Sequence, residues 1–189
     1  MDANDLARRL MSDDRRHYQN PLKVSKAMGV RKGMTVADLG CGPGFFTIPL
    51  ASLVGVDGLV YAVDSHPIML RHLRDNIRKS GANAKTIKIV KADVSKTRIP
   101  SGSADIVILA RILHDIEDKT AFLKEARRIC KPAGRVVDLY WKKARMEHGP
   151  PYEIRLSLAQ SRRILSENGL RVARTFEAGR YHYGLIMRL

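Results

Sequence analysis

Three glycines at alternate positions, Gly40, Gly42 and Gly44, interrupt an otherwise apolar stretch and limit what the chain can become. They follow Thr35-Val36-Ala37-Asp38-Leu39, which reads as a short buried strand. They precede Phe45 to Val54, which reads as a helix despite Pro49 near its start. Strand, bare loop and helix in that order open a βαβ unit. A loop without side chains turns tightly and lets a ligand reach its amides, and the next helix points its N-terminus into the same space. In an open α/β sheet, ligands bind in that space, beyond the carboxyl ends of the strands.

Two acids belong to the same edge. Leu59 to Asp64 reads as a second strand, and Asp64 ends it about 20 residues beyond the loop, where a carboxylate accepts hydrogen bonds from ribose hydroxyls. Thr86 to Val90 reads as a third strand, and Asp93 follows it, placed to bond a base amino group. A helix cap or a solvated loop position explains either acid alone. Three consecutive strand tips offering bare backbone, a ribose acceptor and a base acceptor point to an adenosyl ligand. The G-x-G-x-G spacing departs from the G-x-G-x-x-G of dinucleotide binders. No G-x-x-x-x-G-K-[ST] run exists, which excludes a P-loop.

The remaining chain continues the alternation. Residues 4–16 predict one polar helix, and Asn20-Pro21 opens another that closes at Gly29. Pro67 starts a helix with Met69, Leu73 and Ile77 on one face, ended by Gly81. Ile106 to Leu109 reads as a fourth strand, apolar throughout as a buried parallel strand should be. A helix near 118–130 and a fifth strand, Arg135 to Trp141, follow. A long loop runs from Lys142 to Tyr152. The capping-box spacing at Ser157-Leu158-Ala159-Gln160 predicts a last helix, ending at Gly169. Strands near 171–176 and 182–188 predict an antiparallel pair. The expected fold is therefore α/β: a doubly wound, mostly parallel seven-stranded sheet with an antiparallel C-terminal hairpin and helices on both faces. Residues 1–19 would form a helical arm and 20–189 the domain.

With 189 residues and 44% apolar content, one such domain can bury a full core. No apolar run approaches the roughly 20 residues needed to span a bilayer, and the start lacks a basic-then-apolar leader. Cys41 and Cys130 are the only cysteines and suggest neither a zinc site nor a disulfide, so a reducing cytoplasm is the expected home. Lys and Arg number 34 against 19 acids, a net charge of +15. That field attracts polyanions such as RNA, or marks nothing more than a basic soluble protein.

The stretch Val36 to Thr47 resembles motif I of the class I, Rossmann-like SAM-dependent methyltransferases. Val60 to Asp64 is similar to that family's acidic strand-two motif, and Ala92-Asp93-Val94 to its adenine-contact motif. Leu123 to Arg135 resembles its E-x-x-R-x-L-K-P-G-G stretch, with Ala133 in place of a glycine. The nearest flavour is the broad group that includes ubiquinone/menaquinone C-methyltransferases and arsenite methyltransferases. The resemblance implies S-adenosyl-L-methionine (SAM) as cofactor and S-adenosyl-L-homocysteine as product. It implies cofactor contacts from Asp38, Gly40, Cys41, Gly42, Gly44, Asp64, Ser65, Asp93, Val94 and Ala110. Asp38 would hold the ammonium group, Asp64 the ribose, Asp93 and the Val94 amide the adenine, and the Ala110-Arg111 backbone the methionine moiety.

The acceptor is less constrained. His114 and Asp115 follow strand four, where acceptor-facing residues of this fold sit, and a histidine takes up a proton near neutral pH. Acids opening a helix also complement its dipole, which is the bland reading of Asp115, Glu117 and Asp118. Trp141 either walls the acceptor or packs the core; Tyr18, Tyr152, Tyr181 and His182 are further candidates. Ala110-Arg111-Ile112-Leu113 stands where adenine N-methyltransferases carry [D/N]-P-P-[Y/F]. Neither cysteine fits cytosine C5 chemistry, and an arsenite enzyme needs more thiols. No metal site is expected. A small-molecule acceptor, an RNA or protein acceptor, and a SAM-binding module without turnover remain. An NAD dehydrogenase is the rival enzyme.

Overall fold

The computed structural model describes residues 2–189. Seven strands form one sheet in the order β3-β2-β1-β4-β5-β7-β6. The first five strands are Thr35–Leu39 (β1), Leu59–Asp64 (β2), Ile87–Lys91 (β3), Ala104–Ala110 (β4) and Cys130–Trp141 (β5). They run parallel. Arg171–Glu177 (β6) and His182–Arg188 (β7) close the sheet, with β7 antiparallel to both β5 and β6. The strand order reverses at β1, which pairs β2 on one side and β4 on the other. Such a switch point opens a crevice at the carboxyl ends of the two strands, and the glycine loop emerges there.

Helices cover both faces. Pro21–Ala27 (α3), Thr47–Val54 (α4) and Pro67–Ser80 (α5) pack one core through Val24, Leu50, Val54, Leu70 and Leu73. Lys119–Ile129 (α6) and Leu158–Glu167 (α7) pack the other through Phe122, Leu123, Ala126 and Leu165. Double coverage is why Ile106, Val107, Ile108 and Leu109 are all fully buried. Local chemistry sets the helix ends. Asn20 caps α3 through Lys23 N at 2.9 Å, with Pro21 in the first turn. Ser157 and Gln160 cap α7 reciprocally. Gly81, at φ 68°, ends α5.

The N-terminal segment departs from the expected single helix. It forms Ala3–Leu10 (α1) and Asp13–Tyr18 (α2), broken at Met11 and Ser12. Ser12 accepts from Arg15 N at 3.3 Å, and Asp13 and Asp14 fill the new first turn, so a second cap restarts the helix. The arm is tied down at both ends. Asn4 Oδ1 accepts from Arg71 at 2.7 Å and lies 3.1 Å from His72 Nε2, both on α5. At the other end, buried Gln19 donates to Ala178 O and the Arg180 amide donates to Tyr18 O, at the turn between β6 and β7. The fifth strand also begins earlier than expected, running straight out of α6 at Cys130, with a register shift against β4 between Ala104 and Ile106.

One core acid stands out. Asp138 on β5 is fully buried, opposite Leu109 and Leu185, and neither carboxylate oxygen has a partner among the described residues. Burial pushes its carboxyl up to about 7 from 3.8. Between those values the folded chain holds a proton that the unfolded chain has released, so stability falls as pH rises from about 3.8 to about 7. Asparagine mimics the protonated acid. Asp138→Asn is expected to leave stability at pH 4 nearly unchanged and to raise it at pH 8 by about 2–4 kcal/mol, since a tenfold change in proton affinity is worth about 1.4 kcal/mol. Urea midpoints at the two pH values check this; equal changes at both would refute it.

Candidate functional site

A cavity of about 590 Å³ occupies the crevice at the switch point, large enough for a nucleoside-sized ligand and a second small molecule. Its floor is the loop after β1. Gly40 and Gly44 sit at φ 73° and 95°, and a Cβ would meet Ile112 Cδ1 at 2.3 Å and Leu73 Cδ1 at 2.5 Å respectively. These two glycines let the loop nestle between β4's extension and α5. Gly42, at φ 54°, differs: its Cβ would have only Leu10 Cδ1 at 3.9 Å, so its bare backbone faces open cavity.

Asp64 controls that backbone. Its Oδ2 accepts from Gly42 N at 2.9 Å and its Oδ1 from His66 N at 2.8 Å. One carboxylate at the end of β2 thus fixes the glycine loop and the entry to α5, while each oxygen keeps a free lone pair. Asp38, next to last in β1, lies beneath the loop, 1% exposed, and accepts from Thr47 Oγ1 at 2.7 Å. Burial, the larger cause, and the Asp64 charge raise its pKa to about 6; the Thr47 hydrogen bond and Arg15 oppose them. Cys41 is buried alongside, its thiol pushed up chiefly by burial.

The arm forms the roof. Leu6, Arg9, Leu10, Asp14, Arg15 and Tyr18 all line the cavity. Arg15 is only 4% exposed; its guanidinium lies 3.5 Å from the Phe45 ring centroid and donates to Leu10 O at 2.8 Å. The far end is aromatic. Tyr18 stacks on His148 at 5.0 Å and lies 6.4 Å from Trp141, and Arg111 reaches to 5.3 Å from the Trp141 ring. Behind them, His182 is fully buried 4.0 Å from Trp141, with neither ring nitrogen partnered among the described residues. Burial, then the nearby Arg111 and Arg15 charges, depress its pKa to about 2.

His114 and Asp115 line this end too. His114 Nε2 is 3.5 Å from Asp115 Oδ1, its Nδ1 is buried without a partner among the described residues, and its ring lies edge-on to Tyr140 at 5.5 Å. Burial lowers its pKa more than Asp115 raises it, so the ring is neutral at pH 7.

Of the expected residues, Asp38, Gly40, Cys41, Gly42, Asp64, Ala110, His114, Asp115, Tyr18 and Trp141 meet at this cavity. Gly44 shapes the loop from behind. Ser65, Asp93 and Val94 are not in its wall. Ser65 is exposed beyond the tip of β2; the exposed Asp93 turns its carboxylate onto Ser95 N at 2.7 Å; Val94 packs into the core. Tyr152, Tyr181 and His182 do not line the cavity either. Sequence reasoning misses the buried side chain of Arg15 and the half-buried one of Arg111. In the sequence Arg15 is one of four arginines in a polar segment, and Arg111 enters only through its backbone.

Arg155 holds the loop that closes the aromatic end. Buried to 4% exposure, it donates from Nε to Pro150 O at 2.8 Å, and from its two terminal nitrogens to Ala144 O at 2.7 Å and His148 O at 2.8 Å. Arg155→Ala leaves three carbonyls without donors. The expected result is protease cleavage within 142–151, because charge-assisted bonds worth about 1.5–3 kcal/mol each no longer hold the loop. S-adenosylhomocysteine affinity should change by less than about twofold, because the loop after β1 is untouched. Limited proteolysis and calorimetry check both.

Comparison with known proteins fits this architecture. A family model described as a methyltransferase domain matches residues 37–138, more than half of the chain. A SAM-dependent methyltransferase from Aquifex aeolicus superposes with a TM-score of 0.91 at 32% identity, covering 99% of this chain and 98% of that one. Magnesium protoporphyrin IX methyltransferase from Synechocystis, solved with bound S-adenosylhomocysteine, shares the fold at 21% identity and a TM-score of 0.69, covering 90% of this chain and 84% of that one. Among curated relatives, a demethylmenaquinone methyltransferase of Staphylococcus aureus is 36% identical over 62% of this chain. A ubiquinone/menaquinone biosynthesis C-methyltransferase of Idiomarina loihiensis is 33% identical over 61%. The matched stretch spans about half the length of these curated relatives, 47% and 45%. Among the described residues no helix is long and apolar enough to cross a membrane. With its glycine loop, switch-point cavity and antiparallel seventh strand, the chain belongs to the SAM-dependent methyltransferases built on this methyltransferase domain.

Proposed function

We propose that the chain methylates a small molecule that enters the aromatic end of the arm-roofed cavity. The observation that carries this reading is the continuity of that cavity: one space runs from the Gly42 backbone to Tyr18, Trp141 and His148. The curated relatives, named as quinone-pathway methyltransferases, support a small acceptor.

The residues at the loop end suit SAM. Asp38 is an acid whose pKa burial and the Asp64 charge raise to about 6, and the cofactor's ammonium group would supply a compensating cation. Arg15, beside Phe45 and acting on Asp38, suits the cofactor's carboxylate. Asp64 suits the ribose hydroxyls, and the Gly42 backbone leaves room for close approach. The bound cofactor supplies a sulfonium-activated, electrophilic methyl group.

The chain's own task is to align the acceptor about 3 Å from that carbon and keep water out. Leu6, Leu10 and Tyr18 of the arm cover the site, and Trp141 forms the wall. His114, neutral and facing the cavity, takes up the proton that the acceptor loses, with Asp115 beside it to stabilise the imidazolium.

Incubation with methyl-labelled SAM and cell extract divided into small molecules, RNA and protein tests the reading. Label in the small-molecule fraction is the expected result. Label in RNA, with steep salt dependence, would favour the net charge of +15 as a binding surface instead. Tight cofactor binding with no label in any fraction would favour a module without turnover.

A further inference from the structure

Arg111 is the first residue beyond β4, and it adopts φ 61°. Among the described residues only Arg98 shares that left-handed conformation without being glycine. An L residue there costs about 1–2 kcal/mol, which glycine would avoid and asparagine would reduce. The strained backbone aims a long cationic side chain into the cavity. Its Nε is buried without a hydrogen-bond partner among the described residues, and no acid is among the groups that shift it. Burial, with Arg9 acting the same way, brings its pKa down to about 10, so it stays charged.

Arg111 is half-buried, so its guanidinium is partly desolvated; it has no counter-ion among the described residues, and an incoming anion relieves that cost. Arg15 sits at the loop end on Phe45, where the cofactor's own carboxylate is accounted for. Arg111 sits on the aromatic side, beside Trp141 and acted on by Tyr18, and near enough to Arg15 for its like charge to disfavour that of Arg15. The acids lining that end, Asp14 and Asp115, are exposed. A guanidinium fork matches a carboxylate's two oxygens, and the aromatic wall that the half-buried Tyr18 and the margin of Trp141 present to the cavity suits a flat ring lying along it.

We infer that the methyl acceptor is an aromatic carboxylate, its carboxylate held by Arg111 and its ring packed against Trp141 and Tyr18. This rests on the reading that a small acceptor enters this cavity, and it names the class.

Calorimetry on the S-adenosylhomocysteine complex tests it with salicylate, 4-hydroxybenzoate and 1-hydroxy-2-naphthoate, each against its primary amide, and with phenyl phosphate. At least one acid should bind about tenfold or more tightly than its amide, as a charge-assisted bond predicts. Arg111→Gln should abolish that preference, and Arg111→Lys should retain part of it. S-adenosylhomocysteine affinity of both variants should stay within about twofold, since the cofactor's carboxylate is given to Arg15 and only the Arg111 side chain is replaced, and this also reports that they fold. The inference is overturned if no acid binds, if acid and amide bind alike, or if the preference survives in Arg111→Gln. Phenyl phosphate outbinding every acid would move the class to phosphate esters. A parallel loss of cofactor affinity in Arg111→Gln would give Arg111 to the cofactor's carboxylate. Failure of the broader reading looks different: labelled methyl goes to RNA or protein, whatever the acids do.

Discussion

An Asp64→Ala variant binds S-adenosylhomocysteine about a hundredfold or more weakly than the parent chain, and the loss is one of affinity rather than folding. The carboxylate accepts from the Gly42 and His66 amides at 2.9 and 2.8 Å and retains lone pairs for the ribose. Alanine removes the loop's tether and, on the proposed reading, the sugar's acceptor together. Hydrogen bonds to a charged group are worth about 1.5–3 kcal/mol each, and two reach the hundredfold mark. Asp64→Asn keeps one acceptor oxygen and should lose about tenfold. Calorimetry reads both, and a loss below threefold in the alanine variant would remove Asp64 from the cofactor site.

Glu125→Ala is expected to cost about 2–3 kcal/mol of folding stability, chiefly from leaving the buried Thr97 amide and hydroxyl without an acceptor, since the exposed Arg128 can turn to water. Glu125 on α6 is 8% exposed and accepts from Thr97 N at 2.8 Å, Thr97 Oγ1 at 2.6 Å, and Arg128 Nε and a terminal nitrogen at 2.6 and 2.8 Å. Arg128 in turn donates to Ile99 O and Ser101 Oγ. The pair therefore staples the connection between β3 and β4 to α6. The Arg128 hydrogen bond, opposed by burial and assisted by Thr97, holds the Glu125 pKa at about 2 against 4.5. A depressed carboxylate stabilises above pH 4.5, and that contribution disappears as pH falls from 4.5 towards 2. The parent chain should lose stability across that window and the alanine variant should lack this component. Urea titrations at about pH 7 and between about pH 2.5 and 5 measure both effects. Glu125→Gln keeps an acceptor for Thr97 and should lose about half as much.

Much of the fold is legible in the sequence because its signals are local. The strand-loop-glycine order, the Pro67 start and Gly81 stop of α5, and the Ser157 capping box each depend on a few neighbouring residues. The E-x-x-R likeness is legible as a pattern, but only the structure shows what Glu125 and Arg128 hold. The break at Ser12 escapes a sequence reading because the arginines on either side form one polar face, although Ser12-Asp13-Asp14 is itself a cap followed by acids. Asp93 shows how far position reaches. Its place after β3 is as expected and one oxygen accepts from Ser95 N, but position alone does not tell where a carboxylate turns. Arg111 lies beyond sequence reasoning, because nothing in Ala110-Arg111-Ile112 announces a left-handed residue. Arg15 and Arg155 are hidden because an arginine is ordinarily solvated.

The placement of β7 between β5 and β6 governs the order in which this sheet can be assembled. Until residues 182–188 leave the ribosome, β6 has no strand to pair with, and the hydrogen-bonding edge of β5 lies open from Val136 to Trp141. An open apolar edge invites a stranger's strand. Nascent chains stalled just short of β7 should therefore be the aggregation-prone species, and emergence of that one strand is the event that makes the sheet safe.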